Sequence, residues 1–318
     1  MAKRKIRFYQ YILYILEYIV VVPLATLVSW LPWRIAYFLA DVFSSIYYKL
    51  DKHFRDVAFK SLDIIFSNSP LSLEKKENIL KNLYKNVAYF GVEYIKSGWI
   101  NKNNYKKYAF FENLDYLEEA LSYGKGVIVV TAHLGNWEYL GSIPAKLGKN
   151  AAVIINRQFN PFTDHWLKRI REKKGKLKCF YNEVGDIFKI SRHIKEGGII
   201  GLVVDQTYYF KPIFVPFFGV QAATADGPAR FHLKYGAPIV MAFSIREPDG
   251  RYRMTFEKGV FFEKTEDFEN DCKKIMTWIN SRYEEYIRKY PDQWFSLIHG
   301  RWERNKPEDF ENIDWNPY

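Results

Sequence analysis

The stretch from residue 126 to residue 141 constrains the fold of this chain more than any other. It reads GVIVVTAHLGNWEYLG. Residues 127–130 form an apolar β-branched run that predicts a buried strand, and the residues after Gly135 predict a helix. A buried strand that runs into a helix is typical of α/β proteins, which place their chemistry at the carboxyl end of the strand. His133 and Glu138 lie at that junction and form an H-x4-E pair.

The spacing of this pair has a specific geometric meaning. Five residues along one helix rotate by about 500°, so the two side chains would point about 140° apart and could not meet. If His133 instead ends the strand and Gly135 allows a tight turn, Glu138 can reach back. His133 could then act as a general base while Glu138 holds its other ring nitrogen.

The pair alone is a weak signal. With six His and 36 Asp and Glu in 318 residues, chance gives roughly 0.7 matches to this pattern. The alternative to catalysis is therefore a core histidine beside a surface glutamate.

Further strands are predicted at residues 151–155, 198–205 and 239–245 and, from its alternating pattern, at residues 252–256. Helices are predicted over residues 34–100, where apolar residues recur every three or four positions, and over residues 114–123 and 267–290. Two helix starts are also visible, one at Ser72 and one at Asn160-Pro161. These elements together predict an α/β fold.

Polar residues follow two of these predicted strands. Arg157 comes after the strand at 151–155, and Asp205-Gln206 ends the strand at 198–205. If the sheet is parallel, Asp205 faces the same rim as His133. Arg157 can face the site from that rim as well.

Two other segments leave alternatives open. In the segment IFVPFFG, residues 213–219, Phe214, Phe217 and Phe218 could line an apolar slot or belong to an ordinary core. The very basic stretch KRIREKKGKLK, residues 168–178, is either a solvated helix face or a docking patch for an acidic carrier or lipid phosphates.

The N-terminal region is apolar. Residues 2–7, AKRKIR, are basic, and residues 8–33 then carry a single charge, Glu17. That length can cross a bilayer. Three interpretations remain: a spanning anchor, an interfacial helix, or a helix buried in the fold. Basic residues lie on both sides of the segment, so the distribution of positive charge does not settle its orientation.

Composition narrows the class of function. The net charge is +11 and 18% of the residues are aromatic, which suits an anionic membrane, an acidic protein partner or nucleic acid. Two cysteines indicate neither a disulfide framework nor a cysteine-based zinc site, and they fit a reducing compartment. The motifs of dinucleotide enzymes, P-loop NTPases, serine hydrolases and zinc proteases are missing, and the basic stretch lacks the aromatic interleaving of RNA-binding modules.

Taken in order, several segments resemble the bacterial lysophospholipid acyltransferase superfamily and, within it, the lipid A biosynthesis (lauroyl and myristoyl) acyltransferases. These segments are HLGNWE at 133–138, Arg157, VVDQ at 203–206, VPFFG at 215–219, Thr224, YGAPIV at 235–240 and PDQWFSLIHGRW at 291–302. The resemblance covers about residues 8 to 304. It implies an acyltransferase-type α/β fold with a central, mostly parallel sheet flanked by helices and an N-terminal hydrophobic membrane helix. The implied domains are an anchor helix at 1–33, an acyltransferase domain at 34–304 and a polar tail at 305–318.

The resemblance also implies a reaction: a fatty acyl chain moves from an acyl carrier protein thioester to a hydroxyl of a lipid A precursor. His133 would deprotonate that hydroxyl, Glu138 would orient His133, and no covalent acyl-enzyme would form. Arg157 would bind the developing oxyanion, with backbone N–H groups near Gly135 and Asn136 as helpers. Asp205 would organise Arg157 or the acceptor.

The expected substrate-binding residues complete this interpretation; they are Gly135, Asn136, Gln206, Phe217, Phe218, Gly219 and Thr224. No cofactor, metal or nucleic acid is expected. The expected partners are acyl carrier protein, the lipid acceptor and an anionic membrane, and the expected location is the bacterial inner membrane with the catalytic domain on its cytoplasmic face. Two alternatives remain open: the same chemistry on another polar lipid, and a basic membrane-binding protein that is not an enzyme.

Overall fold

The computed structural model describes residues 8–310; the basic residues 2–7 and the last part of the predicted tail lie outside the described residues. The α-helices are α1 Phe8–Trp30, α2 Trp33–Leu50, α3 Lys52–Ile65, α4 Leu73–Lys96, α5 Leu114–Ser122, α6 Trp137–Lys146, α7 Pro161–Arg169, α8 Val184–Lys195, α9 Gly227–Tyr235 and α10 Phe268–Lys289. The strands are β1 Ala109–Glu112, β2 Val127–Thr131, β3 Ala151–Ile155, β4 Lys178–Tyr181, β5 Ile199–Val203, β6 Ile213–Phe217, β7 Val220–Thr224, β8 Ile239–Arg246 and β9 Tyr252–Phe256.

A seven-stranded sheet in the order β1-β9-β8-β2-β5-β3-β4 forms the centre of the molecule. β8, β2, β5, β3 and β4 run parallel to one another, whereas β9 is antiparallel to β8 and pairs with β1 in parallel. The expected mixed α/β architecture with a mostly parallel sheet is therefore confirmed. β2 and β5 are neighbours, so their carboxyl ends meet at one rim although β3 and β4 lie between them in the chain.

Helices cover both faces of this sheet. Ile128 and Val130 of β2 point into one core layer, which includes residues of α9 and α10, and Val127 and Val129 point into the other, which includes residues of α5 and α6. Because successive side chains of a strand alternate between faces, a strand buried on both sides reads as a continuous apolar run. Burial of each Val or Ile contributes about 1.5–3 kcal/mol, so this run fixes β2 in the centre of the sheet.

The helical region predicted over residues 34–100 is confirmed as α2, α3 and α4. Both predicted helix starts are also present. The Ser72 hydroxyl accepts a hydrogen bond from the backbone N–H of Lys75 at 3.3 Å, and the Asn160 side chain accepts one from the N–H of Phe162 at 2.9 Å. These side chains satisfy N–H groups that have no partner within the first helical turn.

The first helix, α1, is apolar on nearly its whole surface. Among the described residues it is the single helix that is long and apolar enough to cross a membrane, with a mean hydropathy of 2.1 over its best window. A narrow stripe of α1 nevertheless packs on the protein. Its partly or fully buried residues recur at helical spacing and are Gln10, Tyr14, Tyr18, Val22, Ala25, Val28 and Ser29.

Four strands were not predicted as they occur. β1 and β4 are short strands at the two edges of the sheet. The segment IFVPFFG forms β6 and then turns into β7, giving an antiparallel hairpin outside the main sheet. At the turn, Phe218 and Gly219 both have positive φ, 53° and 76°, as the two central residues of a type I′ hairpin turn require.

Candidate active site

The turn between β2 and α6 carries His133. β2 ends at Thr131 and α6 begins at Trp137, so His133 follows the strand, as predicted. Gly135 has φ of +58°, and a Cβ atom at this position would lie 1.8 Å from the carbonyl oxygen of Ser244. Only glycine therefore allows the turn to pass this close to the end of β8.

Asp205, at the end of β5, is the carboxylate that contacts His133. Its Oδ1 lies 2.7 Å from Nδ1 of His133 and accepts the backbone N–H of the same residue at 3.1 Å. Its Oδ2 accepts hydrogen bonds from Nε1 of Trp294 at 2.8 Å and from the Ser296 hydroxyl at 2.7 Å. Asp205 is completely buried, whereas the His133 side chain keeps 20% exposure.

These contacts determine which nitrogen of His133 can act as a base. Burial alone would raise the pKa of Asp205, but the charge of His133 and the hydrogen bonds from His133, Ser296 and Trp294 outweigh it and hold the pKa at about 2. An ionised carboxylate only accepts hydrogen bonds. Nδ1 of His133 therefore carries a proton in either charge state, and when the imidazole is neutral Nε2 keeps the lone pair that can take a proton from a substrate.

The expected contact between Glu138 and His133 is wrong. Glu138 lies in the first turn of α6, and its carboxylate is held by Arg171 through a paired contact, with Nη2 at 2.6 Å and Nε at 3.0 Å from Oε1. The turn brings Glu138 near the site, as predicted, but the start of the helix directs its side chain toward the wide helical turn Ile170–Lys174. Asp205 occupies the position at the imidazole that was expected for Glu138.

The expected link between Asp205 and Arg157 is also wrong. The Arg157 guanidinium hydrogen-bonds to Glu183 and stacks over the ring of Tyr181, with Cζ 3.9 Å from the ring centroid. Its side chain keeps 47% exposure. The neighbours of Arg157 line the cavity beside His133, but Arg157 itself is bound at the outer surface.

The cavity beside His133 has a volume of about 590 Å³, within the usual range for a ligand site. His133, Glu138 and Gln206 line it, and so does Arg171. Apolar side chains form much of the remaining wall; they include Ile154, Ile190, Leu202, Val204 and Phe231. The cavity thus combines polar residues, His133 among them, with apolar walls suited to a hydrocarbon chain.

The hairpin of β6 and β7 does not supply the expected apolar slot. Phe217 and Phe218 belong to the main core, where Phe217 stacks on Trp302 with ring centroids 5.5 Å apart. The hydroxyl of Thr224 is buried and accepts a hydrogen bond from Arg301 at 2.7 Å. The second interpretation, an ordinary core, is correct for Phe217 and Phe218, and neither they, Gly219 nor Thr224 is part of the described cavity wall.

Gly135 and Asn136 form hydrogen bonds with other residues of the protein. The N–H of Gly135 donates to the carbonyl of Gln293 at 2.9 Å, so it does not point at a substrate as expected. The Asn136 side chain caps α6 by accepting the N–H of Tyr139 at 2.9 Å, and it donates to the carboxylate of Glu93 at 2.8 Å. Both residues therefore fix the turn that carries His133.

Glu93 is the centre of a buried polar network that the sequence did not reveal. Only 1% of Glu93 is exposed. Its carboxylate accepts hydrogen bonds from the hydroxyls of Tyr37 at 2.9 Å and Tyr252 at 2.7 Å, in addition to Asn136, and Arg246 lies 3.7 Å away. Burial, opposed by these four partners, raises the pKa of Glu93. The network joins α2, α4, β8 and β9 to the start of α6.

Three further residues contact the site residues. Trp294 and Ser296 come from the segment PDQWFSLIHGRW at residues 291–302, for which the resemblance implied no site residue. Arg171 lies inside the basic stretch at residues 168–178, where nothing distinguishes it from its neighbours except the buried Ile170 beside it. A run of basic residues in a sequence does not show which one of them turns toward the interior of the protein.

The chain matches known proteins over most of its length. Residues 1–304 match the family model described as bacterial lipid A biosynthesis acyltransferase. The chain is 24% identical over 275 residues to lipid A biosynthesis palmitoleoyltransferase of Escherichia coli (strain K12), which covers 85% of this chain and 86% of that protein.

The same coverage and identity are found with a lipid A biosynthesis acyltransferase of Shigella flexneri. A lipid A biosynthesis acyltransferase of Haemophilus influenzae (strain ATCC 51907 / DSM 11121 / KW20 / Rd) is 22% identical over 231 residues, or 71% of this chain and 69% of that protein. The family match extends over far more than half of the sequence. The chain is an acyltransferase and belongs to the bacterial lipid A biosynthesis acyltransferase family.

Proposed function

We propose that this protein moves a fatty acyl chain from the thioester of acyl carrier protein to a hydroxyl group of a lipid A precursor. The observation that carries the proposal is the pair of Asp205 and His133 at the wall of a cavity with apolar sides. An ionised, fully buried carboxylate behind a histidine is an arrangement suited to general base catalysis. Family membership supports the acyl transfer and the acceptor class.

The reaction follows from this pair. Nε2 of His133 takes the proton of the acceptor hydroxyl while the hydroxyl oxygen attacks the thioester carbonyl carbon. The tetrahedral intermediate collapses with cleavage of the carbon–sulfur bond, and the proton on Nε2 passes to the departing thiolate of the carrier. Asp205 stabilises the imidazolium that exists between these two transfers, since its carboxylate stays ionised.

The developing oxyanion requires a hydrogen-bond donor, and we assign this part to Arg171. Glu138 occupies Nε and Nη2 of Arg171, which leaves Nη1 as its remaining donor group. Arg171 lines the cavity with His133. Glu138 is then a positioning residue for Arg171, whereas Arg157 would first have to leave Glu183 before it could reach a substrate.

Substitution of the two arginines separates these assignments. Removal of one oxyanion donor typically lowers kcat by about 10²–10³-fold. We expect that loss for Arg171→Ala and a change of less than about tenfold for Arg157→Ala, measured as kcat with saturating substrates. A large loss in Arg157→Ala and a small one in Arg171→Ala would reverse the two roles.

The basic stretch is the proposed docking site for acyl carrier protein. Arg169, Lys173, Lys174, Lys176 and Lys178 are exposed, and the same stretch supplies Arg171 to the cavity. An acidic carrier that docks on these cations would thus place its thioester near the base, and complementary charge mainly affects association. The double variant K173E/K174E should raise KM for the acylated carrier while kcat changes little. The matched control K106E/K107E, with two exposed lysines outside this stretch, should leave KM unchanged.

The first experiment tests reaction and acceptor together. Purified protein in detergent is incubated with acylated carrier protein and either an under-acylated lipid A precursor or a polar lipid extract, and mass spectrometry detects an added acyl mass. We expect acylation of the precursor by wild type and by His53→Ala, an exposed histidine, but not by His133→Ala. Product from the extract alone would retain the mechanism and replace the acceptor by another polar lipid. Product from His133→Ala would overturn the assignment of the base.

Membrane association completes the proposal. The apolar surface of α1 and the net charge of +11 suit an anionic bilayer, and the acceptor is itself a membrane lipid. The proposed location is the bacterial inner membrane, with the catalytic part of the chain on the cytoplasmic face, where acylated carrier protein is available.

A further inference from the structure

The manner in which α1 packs on the protein limits how it can meet a bilayer. Its body-facing stripe runs from Gln10 to Ser29, and 19 steps along a helix correspond to about 28 Å. This length is close to the full thickness of the hydrocarbon core, about 30 Å. A helix in contact with the catalytic part of the protein along that length cannot cross the bilayer unless the contacting elements enter it as well.

The contacting elements are unsuited to a hydrocarbon environment. The first half of α1 lies on α7, where Phe162 contacts the rings of Tyr11 and Tyr18 at 5.3 and 5.8 Å. Asn160 donates a hydrogen bond to the carbonyl of Tyr14 at 2.9 Å. The other surfaces of α7 carry exposed His165 and Arg169, so α7 faces water.

The end of α1 is also fixed to the body by polar contacts. Nζ of Lys96 donates to the carbonyls of Ser29 at 2.9 Å and Leu31 at 2.7 Å, and Nε1 of Trp99 donates to Ser29 at 2.9 Å. These donors satisfy carbonyls that have no partner within the last turn of the helix. Both ends of α1 are thus held on the body.

The acidic residue within α1, Glu17, also argues against a helix that spans the bilayer. Glu17 lies near the middle of the helix and its carboxylate accepts a hydrogen bond from Thr163 at 3.2 Å. In a spanning helix this residue would lie near the bilayer midplane, where an acidic side chain is energetically costly. A helix that lies along the membrane surface keeps Glu17 beside α7 at the polar boundary.

A second helix extends the apolar surface of α1. α2 begins directly after Leu31-Pro32 and buries one side against α4. Large apolar residues on its other side are exposed, at helical spacing; they are Ile35, Phe38, Leu39, Val42, Phe43, Ile46 and Leu50. Arg34 and Lys49 are exposed at the flank of this face, where they can meet anionic head groups.

The surfaces of α1 and α2 are continuous. An apolar groove of about 380 Å³ is lined by Val28 of α1, by Leu39 and Phe43 of α2 and by Val87 and Gly91 of α4. Exposed apolar surface of this extent marks a membrane or protein interface. We infer that α1 and α2 both lie in the plane of one leaflet as a monotopic anchor, so that the chain rests on the membrane and does not cross it.

This inference rests on the proposed membrane association and predicts the side on which the N-terminus lies. In a spanning anchor the N-terminus and the catalytic part face opposite compartments, whereas here they face the same one. Cys179 and Cys272 are buried, so wild type should react little with a membrane-impermeant maleimide. Ala2→Cys reports the N-terminus, and Leu73→Cys reports the catalytic part because Leu73 is 67% exposed beside Ser72 and Glu74.

The labelling is carried out on intact spheroplasts and on inverted membrane vesicles from cells that produce each variant. We expect both cysteines to react in inverted vesicles and neither in spheroplasts. Failure of Ala2→Cys to react in the preparation that labels Leu73→Cys would overturn the in-plane arrangement alone. Recovery of the protein in the soluble fraction would overturn the arrangement and the membrane association together.

Depth measurements test the same arrangement in purified protein. A fluorophore is attached to cysteines at Leu13, Val20 or Leu27, which share one exposed face of α1, in vesicles of phosphatidylethanolamine, phosphatidylglycerol and lipids brominated at known depths. An in-plane helix gives one common depth. A spanning helix would place position 20 about 10 Å deeper than the other two.

The contribution of α2 is tested with Phe38→Cys, since Phe38 and Leu73 have nearly equal exposure, 65% and 67%. We expect brominated lipids to quench a fluorophore at position 38 and not at position 73. A blue-shifted but unquenched fluorophore at position 38 would mean that a second copy of the chain covers α2, which would overturn its assignment to the bilayer.

Discussion

Asp205 illustrates at the residue scale how geometry differs from a motif. The sequence pattern associates His133 with Glu138, five residues away, because spacing along the chain is what a sequence displays. The structure gives His133 the carboxylate of Asp205, 72 residues away. The residue types at the strand ends were predictable, whereas their pairing depends on β2 and β5 being neighbours, and no local pattern contains that information.

The pKa of Asp205 leads to a prediction about pH. Because the folded-state pKa of about 2 is below the ordinary value of 3.8, Asp205 stabilises the fold above about pH 4, and this contribution decreases as the pH falls toward 2. The contribution of Asp205 to the free energy of unfolding above this pH range is about 2 kcal/mol. We expect the free energy of unfolding of wild type to decrease more steeply over this pH range than that of Asp205→Asn, as measured by urea denaturation.

The same variant tests the tautomer of His133. An asparagine amide can donate to Nδ1, which favours the tautomer with the proton on Nε2, and that nitrogen can then no longer act as a base. We expect Asp205→Asn to lower kcat by about 10³–10⁴-fold while the fold remains intact at pH 7. Activity near the wild-type level would show that Asp205 does not control the base.

Gly135 determines the geometry of the site through its backbone conformation. A methyl group here would meet Ser244 and would require an alanine at φ of +58°, which costs about 1–2 kcal/mol before any clash. Gly135→Ala should lower the free energy of unfolding by at least that amount and reduce kcat about 10²-fold, since the displaced turn carries His133.

Gly91→Ala serves as the control for this substitution. A Cβ atom at Gly91 has no neighbour within 4 Å, and alanine is a better helix former than glycine. Thermal denaturation should therefore place Gly91→Ala at or above wild type. Equal stability of the two alanine variants would contradict the role given to the turn.

At the scale of elements, the sequence predicted best the segments whose burial is simple. β2, β3, β5 and β8 are apolar runs, and α2 to α4 have a clear helical period. β1 and β4 are edge strands of four residues, too short to show a pattern. The β6–β7 hairpin was hidden because Phe218 adopts a left-handed conformation that its residue type disfavours, and contacts with Glu284 and Trp302 stabilise it.

The Glu93 network joins five elements and allows a test of how they are held together. Glu93→Ala would leave Arg246 without its acidic neighbour and remove three hydrogen-bond acceptor contacts. Loss of one partner from a buried charge pair costs about 3–5 kcal/mol. We expect a loss of this size in denaturant unfolding, together with a fall in activity, because Asn136 begins the helix that follows His133.

A matched substitution on the same helix controls for the loss of a glutamate. Glu77 is partly exposed and pairs only weakly with Lys81, at 3.8 Å, so Glu77→Ala should change stability by no more than about 0.5 kcal/mol. Glu93→Gln retains the shape of the side chain and should be less harmful than Glu93→Ala. If all three variants have the same stability, the network does not hold these elements together.

At the scale of the whole molecule, the sequence predicted the class of fold and the acyltransferase family because an ordered series of segments spans the chain. The sequence did not predict which face of each helix packs on the protein and which face stays exposed. The apolar N-terminal segment allowed three interpretations, since length and hydropathy do not reveal the stripe of α1 that packs on α7. The apolar side of α2 was likewise hidden within a region expected simply to be helical.

The chain between β3 and α7 has a consequence for kinetics. Asn156 and Gln158 line the cavity, and Asn160, two residues further on, contacts α1. Part of the cavity wall thus lies within a few residues of a segment that contacts the helix assigned to the bilayer. With the proposed function and the in-plane arrangement, we expect the acceptor to reach His133 while its chains stay dissolved in lipid, so that its effective concentration is its mole fraction in the surface.

The resulting prediction concerns surface dilution. When detergent is added at a constant bulk concentration of acceptor, the rate should fall in proportion to the mole fraction of acceptor in the micelles. The dependence on the water-soluble acylated carrier should instead follow its bulk concentration. A rate that follows only the bulk concentration of both substrates would mean that the acceptor leaves the surface before it reacts. Under the arrangement described, the enzyme meets its lipid acceptor by diffusion within a surface and its acylated carrier by diffusion in the surrounding solution.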